Sequence, residues 1–151
     1  MTMVTKTLFY ILLACLALSL MVGCTSSTTT PPSDTSLGPA DRVDVVYFYH
    51  TPRCPRCIQA EESVNYTVET YFADELASGK MTFQVLNVQD EENAAIVKKY
   101  RAYTSSLFIN TIRDGTDHIE EVTYIWLLLD NHEAFVEAVR SKIEKSLKGE
   151  E

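Results

Sequence analysis

The fold of this chain is decided by the stretch VDVVYFYHTPRCPRC, residues 43–57. Its first half is rich in Val, Tyr and Phe, which predicts a buried strand over residues 44–49. Its second half places Cys54 and Cys57 where a helical spacing of apolar residues begins. Two cysteines separated by two residues, at the junction of a strand and a helix, are typical of a dithiol–disulfide site.

The spacing of the two cysteines puts both sulfurs on the first turn of the predicted helix. At that end the free peptide N–H groups and the positive end of the helix dipole favour a thiolate over a thiol. A thiolate is the form of cysteine that attacks disulfides and binds metals. We therefore expect the function of the chain to depend on Cys54 and Cys57.

The overall composition limits the classes of function that fit. The 151 residues have a formal net charge of −8 and are 46% apolar, which gives room and material for one globular domain. A net negative charge argues against binding to nucleic acid and against electrostatic adhesion to anionic lipid. We therefore expect no nucleic acid among the partners of this chain.

The first 23 residues have the pattern of a lipoprotein-type signal peptide. Lys6 precedes an apolar run at residues 8–22, which is shorter than the ~20 residues that span a bilayer. The run ends in MVGC, residues 21–24, which resembles the bacterial lipobox, the motif whose cysteine is lipidated. The resemblance implies a lipid anchor at Cys24 and an extracytoplasmic lipoprotein anchored to the cell membrane. An ordinary signal peptide and an uncleaved anchor are the alternatives.

Residues 24–40 are rich in Thr, Ser and Pro, which predicts a flexible tether ahead of a folded domain at residues 41–148. Cys15 would leave with the signal peptide and Cys24 would carry the lipid. Only the two cysteines of the motif would then remain in the folded domain. Because an exported compartment permits disulfides, these two could oxidise with each other or with a partner.

Apolar periods and turn signals predict six further elements, in the order helix, strand, helix, strand, strand, helix. The three helices are predicted from Arg56 to Gly79, with Tyr71 and Phe72 on the apolar face, at residues 91–100, and in a last segment that ends near Leu147. The three strands are predicted at residues 81–88, 107–112 and 118–122, the last of them after an Asp114-Gly115 turn. Asp90 is the expected N-cap of the second helix, and Asp130 with Glu133 the expected capping box of the last. This order predicts an α/β fold with a central mixed four-stranded sheet flanked by helices.

With the cysteine pair opening its first long helix, this order of elements resembles the thioredoxin-like fold from about Val43 to Leu147. Within that superfamily the chain is similar to the ArsF-type family, small thioredoxin-like proteins labelled subunits of a nitrophenyl-compound nitroreductase. The residues that carry the narrower resemblance are Tyr49, His50, the motif at residues 53–57, Glu61, Asp114, Gly115, Trp126 and Asp130. Since the sequence shows no flavin or nicotinamide motif, the resemblance implies at most an accessory electron-transfer subunit.

The chain departs from the thioredoxin pattern in three places. The pattern Trp-Cys-Gly-Pro-Cys is replaced by RCPRC, residues 53–57. The acid that the family buries beneath its active site would align near Phe48, and the family's cis-proline near Ser105 or Ser106, in a loop on the substrate side. In the family that proline shapes the docking of a substrate backbone and hinders capture of a metal by the dithiol. Its replacement puts general protein disulfide exchange in doubt and leaves metal binding open.

The residues of the motif have distinct predicted roles. In a reductase mechanism Cys54, nearer the helix start, is the attacking thiolate, and Cys57 resolves the mixed disulfide. Arg53 and Arg56 flank the first sulfur, and cations beside a cysteine lower its pKa. The two arginines could equally attract an acidic partner or an oxyanion, or simply be solvated.

Two further side chains are candidates for proton transfer. Glu61 lies four residues after Cys57, on the same face of the predicted helix, and could accept the proton of that thiol. His50 lies four residues before Cys54 and could shuttle protons or act as a third ligand to a soft metal. A solvated glutamate and a packing histidine are the alternatives.

The sequence therefore predicts a membrane-tethered, extracytoplasmic thiol–disulfide oxidoreductase that exchanges two electrons through Cys54 and Cys57 and needs no organic cofactor. The expected partners are a protein thiol or disulfide as substrate and an electron carrier in the membrane that resets the pair. A module that binds or transfers Cu(I) or Zn(II) through Cys54, Cys57 and His50 is the main alternative. A non-catalytic thioredoxin-like interaction domain is the third.

Overall fold

The structure, a computed structural model, describes residues 38–150. The predicted signal peptide, the lipidation of Cys24 and most of the predicted tether lie outside the described residues. The described part contains four strands and four α-helices: β1 (Arg42–Tyr49), α1 (Pro55–Tyr71), α2 (Ala73–Ser78), β2 (Met81–Asn87), α3 (Ala94–Tyr100), β3 (Ser106–Arg113), β4 (Thr116–Glu121) and α4 (His132–Lys148). Short 3-10 turns at Glu91–Asn93 and Thr123–Leu127 precede α3 and α4.

The four strands form one mixed sheet in the order β2-β1-β3-β4. β1 pairs in parallel with β2 and antiparallel with β3, and β3 pairs antiparallel with β4. The parallel pair is joined through helices and the antiparallel pair β3-β4 through a tight turn, as connection lengths require. The predicted α/β fold, a central mixed four-stranded sheet flanked by helices, is confirmed.

The central strand β1 is buried on both faces, which explains its nearly continuous apolar sequence. Val43, Val45 and Tyr47 belong to a large apolar cluster with residues of α1 and α4. Val46 and Phe48 belong to a second cluster, which includes residues of α3 on the other face of the sheet. Alternate side chains of a strand point to opposite faces, so neighbouring residues of β1 contribute to different layers of the fold.

The single helix predicted from Arg56 to Gly79 is in fact two helices, and that prediction was wrong. Phe72 interrupts the helical path with φ −129° and ψ 25° and is buried in the core. Tyr71, the last residue of α1, was predicted on the apolar face but is exposed, and the guanidinium of Arg140 lies 4.8 Å from its ring centroid. Gly79 ends α2 with φ 74°, the left-handed conformation that glycine adopts without steric cost.

The predicted cap of the last helix also needs correction, whereas Asp90 lies at its predicted position. Asn131, not Asp130, is the N-cap of α4, and its side-chain oxygen accepts a hydrogen bond of 3.0 Å from the N–H of Ala134. Glu133 is therefore the second residue of the helix, one position too early for a capping box. Asp90 is the N-cap of the 3-10 turn that leads into α3, as predicted, but it makes no side-chain cap bond, and its carboxylate accepts a hydrogen bond from Asn87 at 3.1 Å.

The described chain enters the fold beside the end of α4. The N–H of Ala40 donates to the carbonyl of Leu147 at 3.2 Å, and the N–H of Asp41 to that of Ile112 at 2.8 Å. These bonds lie before the first residue of β1, whereas the cysteine motif follows its last residue. The start of the domain and the motif are therefore at opposite ends of the central strand. Among the described helices, none combines the length and the apolar content needed to cross a membrane.

Candidate active site

Cys54 and Cys57 are joined in a disulfide, with their Cα atoms 5.1 Å apart. Cys54 is the N-cap of α1 and has an extended backbone, while Pro55 is the first helical residue, a position that suits proline because its missing N–H has no helical partner. Cys54 is exposed, whereas Cys57 is only 9% exposed. The local sequence thus presents one sulfur to solvent and covers the other.

The backbone at the helix start is directed at the outer sulfur. The N–H of Cys57 donates to the Sγ of Cys54 over 3.0 Å. In the reduced state the same N–H, with the positive end of the α1 dipole, would stabilise a thiolate at Cys54. This contact distinguishes the two sulfurs, and the role of Cys54 as the attacking one stays a prediction.

Tyr47 lies directly beneath this first helical turn. Its hydroxyl donates a 2.7 Å hydrogen bond to the carbonyl oxygen of Cys57, and its side chain is fully buried. Burial raises the pKa of Tyr47 to about 12, although the charge of Arg53 and the side chain of Ser105 act in the opposite direction. The hydroxyl is thus a neutral donor to the backbone of the inner cysteine.

The sequence pattern assigns Tyr47 to the core and gives no sign of its contact with Cys57. Phe48, the position expected for the family's buried acid, lies on the other face of the sheet, where its ring centroid is 5.6 Å from that of Tyr100 and 5.7 Å from that of Phe108. The alternation along β1 shows that residues 47 and 48 face opposite ways. It does not show which face α1 covers, so the contact could not be found from the sequence.

Arg53 and Glu61 form an ion pair beside the disulfide, and both side chains are about a quarter exposed. The guanidinium of Arg53 also lies 4.3 Å from the centroid of the Tyr49 ring. Glu61 thus has a defined partner, so it is not the simply solvated residue that the alternative interpretation expected. The transfer of a proton from Cys57 to Glu61 stays a prediction.

Arg56 faces the segment before α4. Its guanidinium lies 3.2 Å from the carboxylate of Asp130, and both side chains are largely exposed. One turn further along α1, Gln59 donates to the carbonyl oxygen of Leu129 over 2.6 Å. Exposed ion pairs of this kind contribute at most about 1 kcal/mol, so the charge of Arg56 is open to solvent and to a partner.

The metal alternative needs His50 beside the two sulfurs. Within residues 38–150 no three His, Cys, Asp or Glu side chains are grouped closely enough to hold a metal ion. The Nδ1 of His50 is buried and makes no hydrogen bond to any described residue. The structure therefore does not bring the predicted three-ligand set together.

Ser105 and Ser106 are both buried where β3 begins, next to the end of β1. Ser106 pairs with Phe48 in the sheet, and its hydroxyl donates to the carbonyl of Thr104 at 3.0 Å. Ser105 is close enough to Tyr47 to influence its hydroxyl. Ser105 is thus near the tyrosine that contacts Cys57, and the substrate-side role of the two serines stays a prediction.

Exposed apolar side chains belong to the segments that meet at this end of the sheet. Tyr103, in the loop before Ser105, is 86% exposed, and Leu127, just before the segment that contacts α1, is 85% exposed. Ile58, on the first turns of α1, is also exposed. Each of these side chains leaves an apolar group in water on a segment next to the motif end of β1.

The sheet topology and the position of the disulfide define a thioredoxin-like fold with a Cys-x-x-Cys pair. No protein-family model matches the chain, and no curated protein matches it. Solved structures do match. One is a thioredoxin from Thermus thermophilus, with 15% identity, a TM-score of 0.46, and coverage of 70% of this chain and 76% of that one.

Two further solved structures match the chain with similarly low sequence identity and similar TM-scores. A crystal structure of human ERp44 has 18% identity and a TM-score of 0.49, and the match covers 77% of this chain but only 27% of that one. The Trx4 domain of ERdj5 has 14% identity, a TM-score of 0.45, and coverage of 76% and 93%. Similarities at this level concern the fold and leave the substrate and partners of this chain open. The resemblance to the ArsF-type family is not confirmed by these comparisons.

Proposed function

We propose that the protein is a thiol–disulfide oxidoreductase that exchanges two electrons through Cys54 and Cys57. The observation that supports this most directly is the disulfide at the start of α1, in which the N–H of Cys57 donates to the Sγ of Cys54. A structural disulfide has no need of an exposed sulfur at a helix N-terminus. A redox pair does, because its outer sulfur must both reach a substrate and leave as a stabilised thiolate.

In the reducing direction the thiolate of Cys54 attacks a substrate disulfide. A mixed disulfide forms, and the first substrate sulfur leaves as a thiolate and takes up a proton. Cys57 then loses its proton and attacks the Sγ of Cys54, which releases the second substrate sulfur as a thiolate that takes up a proton in turn. The substrate has gained two electrons and two protons, and the enzyme pair has become the disulfide seen in the structure. A dithiol electron donor must reduce this disulfide to complete the cycle, and the opposite direction runs through the same steps.

The exposed surroundings of the disulfide suggest what the substrate is. Tyr103 and Leu127 offer apolar contacts, and Arg56 offers a cation with only a weak partner. A protein segment that carries a cysteine, apolar side chains and a carboxylate would match this surface. We infer that the substrate is a protein thiol or disulfide rather than a small molecule.

The cellular setting of the proposal rests on the N-terminal sequence. A lipid anchor at Cys24 would place the domain outside the cytoplasm at the membrane, where an integral membrane electron carrier could act as the dithiol donor. An accessory electron-transfer role of the ArsF type is compatible with the same site. Both statements are proposals supported by the lipobox-like residues 21–24 and by the motif at residues 53–57.

The test is the reduction potential of the full-length chain in mild detergent, equilibrated with defined ratios of reduced and oxidised glutathione in the presence of a chelator. The double variant Cys54→Ser/Cys57→Ser is the control, because it retains Cys15 and Cys24. A reversible two-electron couple between about −120 and −270 mV, absent from the control, is the expected result, since catalytic dithiols fall in that range. A potential below about −300 mV is typical of structural disulfides and would contradict redox cycling in favour of an interaction domain.

A further inference from the structure

We propose that Tyr47 is a positioning residue, which holds the inner cysteine, Cys57, at bonding distance from Cys54 while the disulfide opens and closes. This inference rests on the proposed function and adds a residue that the motif does not contain. It starts from the buried hydrogen bond of 2.7 Å between the Tyr47 hydroxyl and the Cys57 carbonyl, which joins residues ten positions apart in the chain.

The tyrosine is a fixed point in the molecule. Its backbone lies in the central strand, where it is opposite Val85 of β2 and Leu107 of β3. Its side chain is fully buried in the apolar cluster beneath α1. A hydroxyl held in this way cannot follow a moving partner, so it fixes the position of the Cys57 backbone relative to the sheet.

The two cysteines are held to different degrees. Cys57 is buried, lies inside the helix and has the Tyr47 hydroxyl on its carbonyl. Cys54 is exposed, lies outside the helix as its N-cap and shows one hydrogen bond to its sulfur, the one from the Cys57 N–H. When the disulfide is reduced, Cys57 should therefore stay in place and the Cys54 side chain should turn towards a substrate.

Holding Cys57 in place matters in the step that resolves the mixed disulfide. There its sulfur must compete, as an internal nucleophile, with thiols in solution. A group fixed at attack distance acts at an effective concentration far above that of any free thiol. Loss of the Tyr47 hydrogen bond would lower this effective concentration and so weaken the internal disulfide relative to mixed disulfides.

The chemistry of the hydroxyl agrees with positioning and not with proton transfer. Burial raises the pKa of Tyr47 to about 12, well above the ~8.5 of an ordinary thiol. The tyrosine thus stays protonated wherever thiols exchange and remains a hydrogen-bond donor to the Cys57 carbonyl. Because so little of the Tyr47 anion is present at the pH of thiol exchange, it does not serve as the base that deprotonates Cys57.

The test compares Tyr47→Phe with Tyr100→Phe in the full-length chain. Tyr100 is the matched control, since it is also buried and its pKa is also raised to about 12, but it packs with Phe48 and Phe108 on the other face of the sheet. The readout is the equilibrium constant for forming the internal disulfide against glutathione. We expect Tyr47→Phe to lower it about two- to fivefold, because a less firmly held Cys57 acts at a lower effective concentration, and Tyr100→Phe to leave it within about twofold.

An unchanged constant in Tyr47→Phe would overturn the positioning role, even if the variant is less stable to unfolding than the wild type. If Tyr47→Phe fails to fold, the hydroxyl proton of Tyr47 in the wild-type chain gives the answer by nuclear magnetic resonance. We expect it to be protected from exchange in both redox states, and loss of protection on reduction would overturn the proposal. A wild-type chain that forms no reversible disulfide would contradict the proposed function itself, a result separate from either of these.

Discussion

The carboxylate of Glu61 is paired with the guanidinium of Arg53, so the acid nearest to the cysteine motif along α1 is bound to the cation that precedes Cys54. The pair lies over the end of β1, where Arg53 also contacts the ring of Tyr49. Glu61 therefore supplies a counter-charge to Arg53, the residue next to Cys54 in the chain. We therefore predict that Glu61 moderates the charge around Cys54, whether or not it also accepts a proton from Cys57.

Removing the Glu61 charge should make Cys54 more reactive. In Glu61→Gln the guanidinium of Arg53 has lost its counter-charge, and a cation next to a cysteine favours the thiolate. We expect the reduced variant to react with iodoacetamide at neutral pH about two- to fivefold faster than the wild type, since an incompletely buried charge acts by less than about one pKa unit. Glu62→Gln is the control, because Glu62 is the exposed neighbour on the next position of the helix. Equal rates in both variants would contradict the role assigned to Glu61.

Two adjacent residues before α4 should differ sharply in their effect on stability. Asn131 caps the helix through the N–H of Ala134, so Asn131→Ala should lower the free energy of unfolding by about 1 kcal/mol. Asp130 makes an exposed ion pair with Arg56, so Asp130→Asn should change that free energy by less than about 0.5 kcal/mol. Urea unfolding of both variants measures the difference. The reverse order would show that Asp130 is the cap after all.

The confirmed parts of the fold are those that periodicity determines. The apolar run of β1, the stripe of α4 that buries Phe135, Val139 and Ile143, and the Asp114-Gly115 turn each follow from patterns over several residues. Such patterns fix the order of elements and, with the rules for connections, the mixed sheet. The position of the cysteine motif at the start of α1 follows from the same order.

The wrong predictions concern single residues for which the local sequence allows two outcomes equally well. Asp130 and Asn131 are both good N-caps, and the packing of α4 decides between them. The break at Phe72 is a change in one backbone conformation, which leaves the apolar spacing of the sequence almost unaltered. The contact of Tyr47 depends on which face of β1 is covered by α1, a property of the tertiary structure alone. The two cysteines of the candidate site could thus be predicted from the sequence, whereas the contact of Tyr47 with Cys57 could not.

The second apolar cluster should affect stability but not redox behaviour. Phe48 packs against Tyr100 and Phe108 on the face of the sheet away from the disulfide. We expect Phe48→Leu to lower the free energy of unfolding by about 1–2 kcal/mol, since a smaller side chain leaves part of the space unfilled. The equilibrium constant against glutathione should stay within about twofold of the wild-type value. A larger change would mean that the two faces of β1 are coupled.

Protonation of Asp117 should lower the free energy of unfolding at acidic pH. The amide of Asn110, at 2.6 Å, is the main cause that lowers the pKa of this carboxyl in the folded state, and Lys99, at 2.9 Å, adds to it. Because the pKa is lowered in the folded state, the native protein takes up this proton at a lower pH than the unfolded chain does. The contribution is therefore present above the ordinary pKa of about 4 and is lost as the pH falls through the folded value.

The variant Asp117→Asn tests this dependence. It removes the ionisable group while keeping a similar shape, so its free energy of unfolding should decrease less steeply than that of the wild type between pH 5 and pH 3. Asp114→Asn is the control, because Asp114 lies in the turn between β3 and β4 and is exposed. Parallel pH profiles for all three proteins would contradict the assignment.

The hydrogen bond between Ala40 and Leu147 marks the point at which a preceding segment could attach the domain to a surface. Eight residues of β1 separate this entry point from the motif, a distance of roughly 26 Å at the usual rise of a strand. A domain held by the residues that precede Ala40 would therefore be attached at the end remote from the motif, which leaves its reactive end accessible to an approaching partner. Immobilising the chain by its N-terminus should leave its disulfide as reducible as in solution, whereas attachment through Tyr103 or Leu127 should block it.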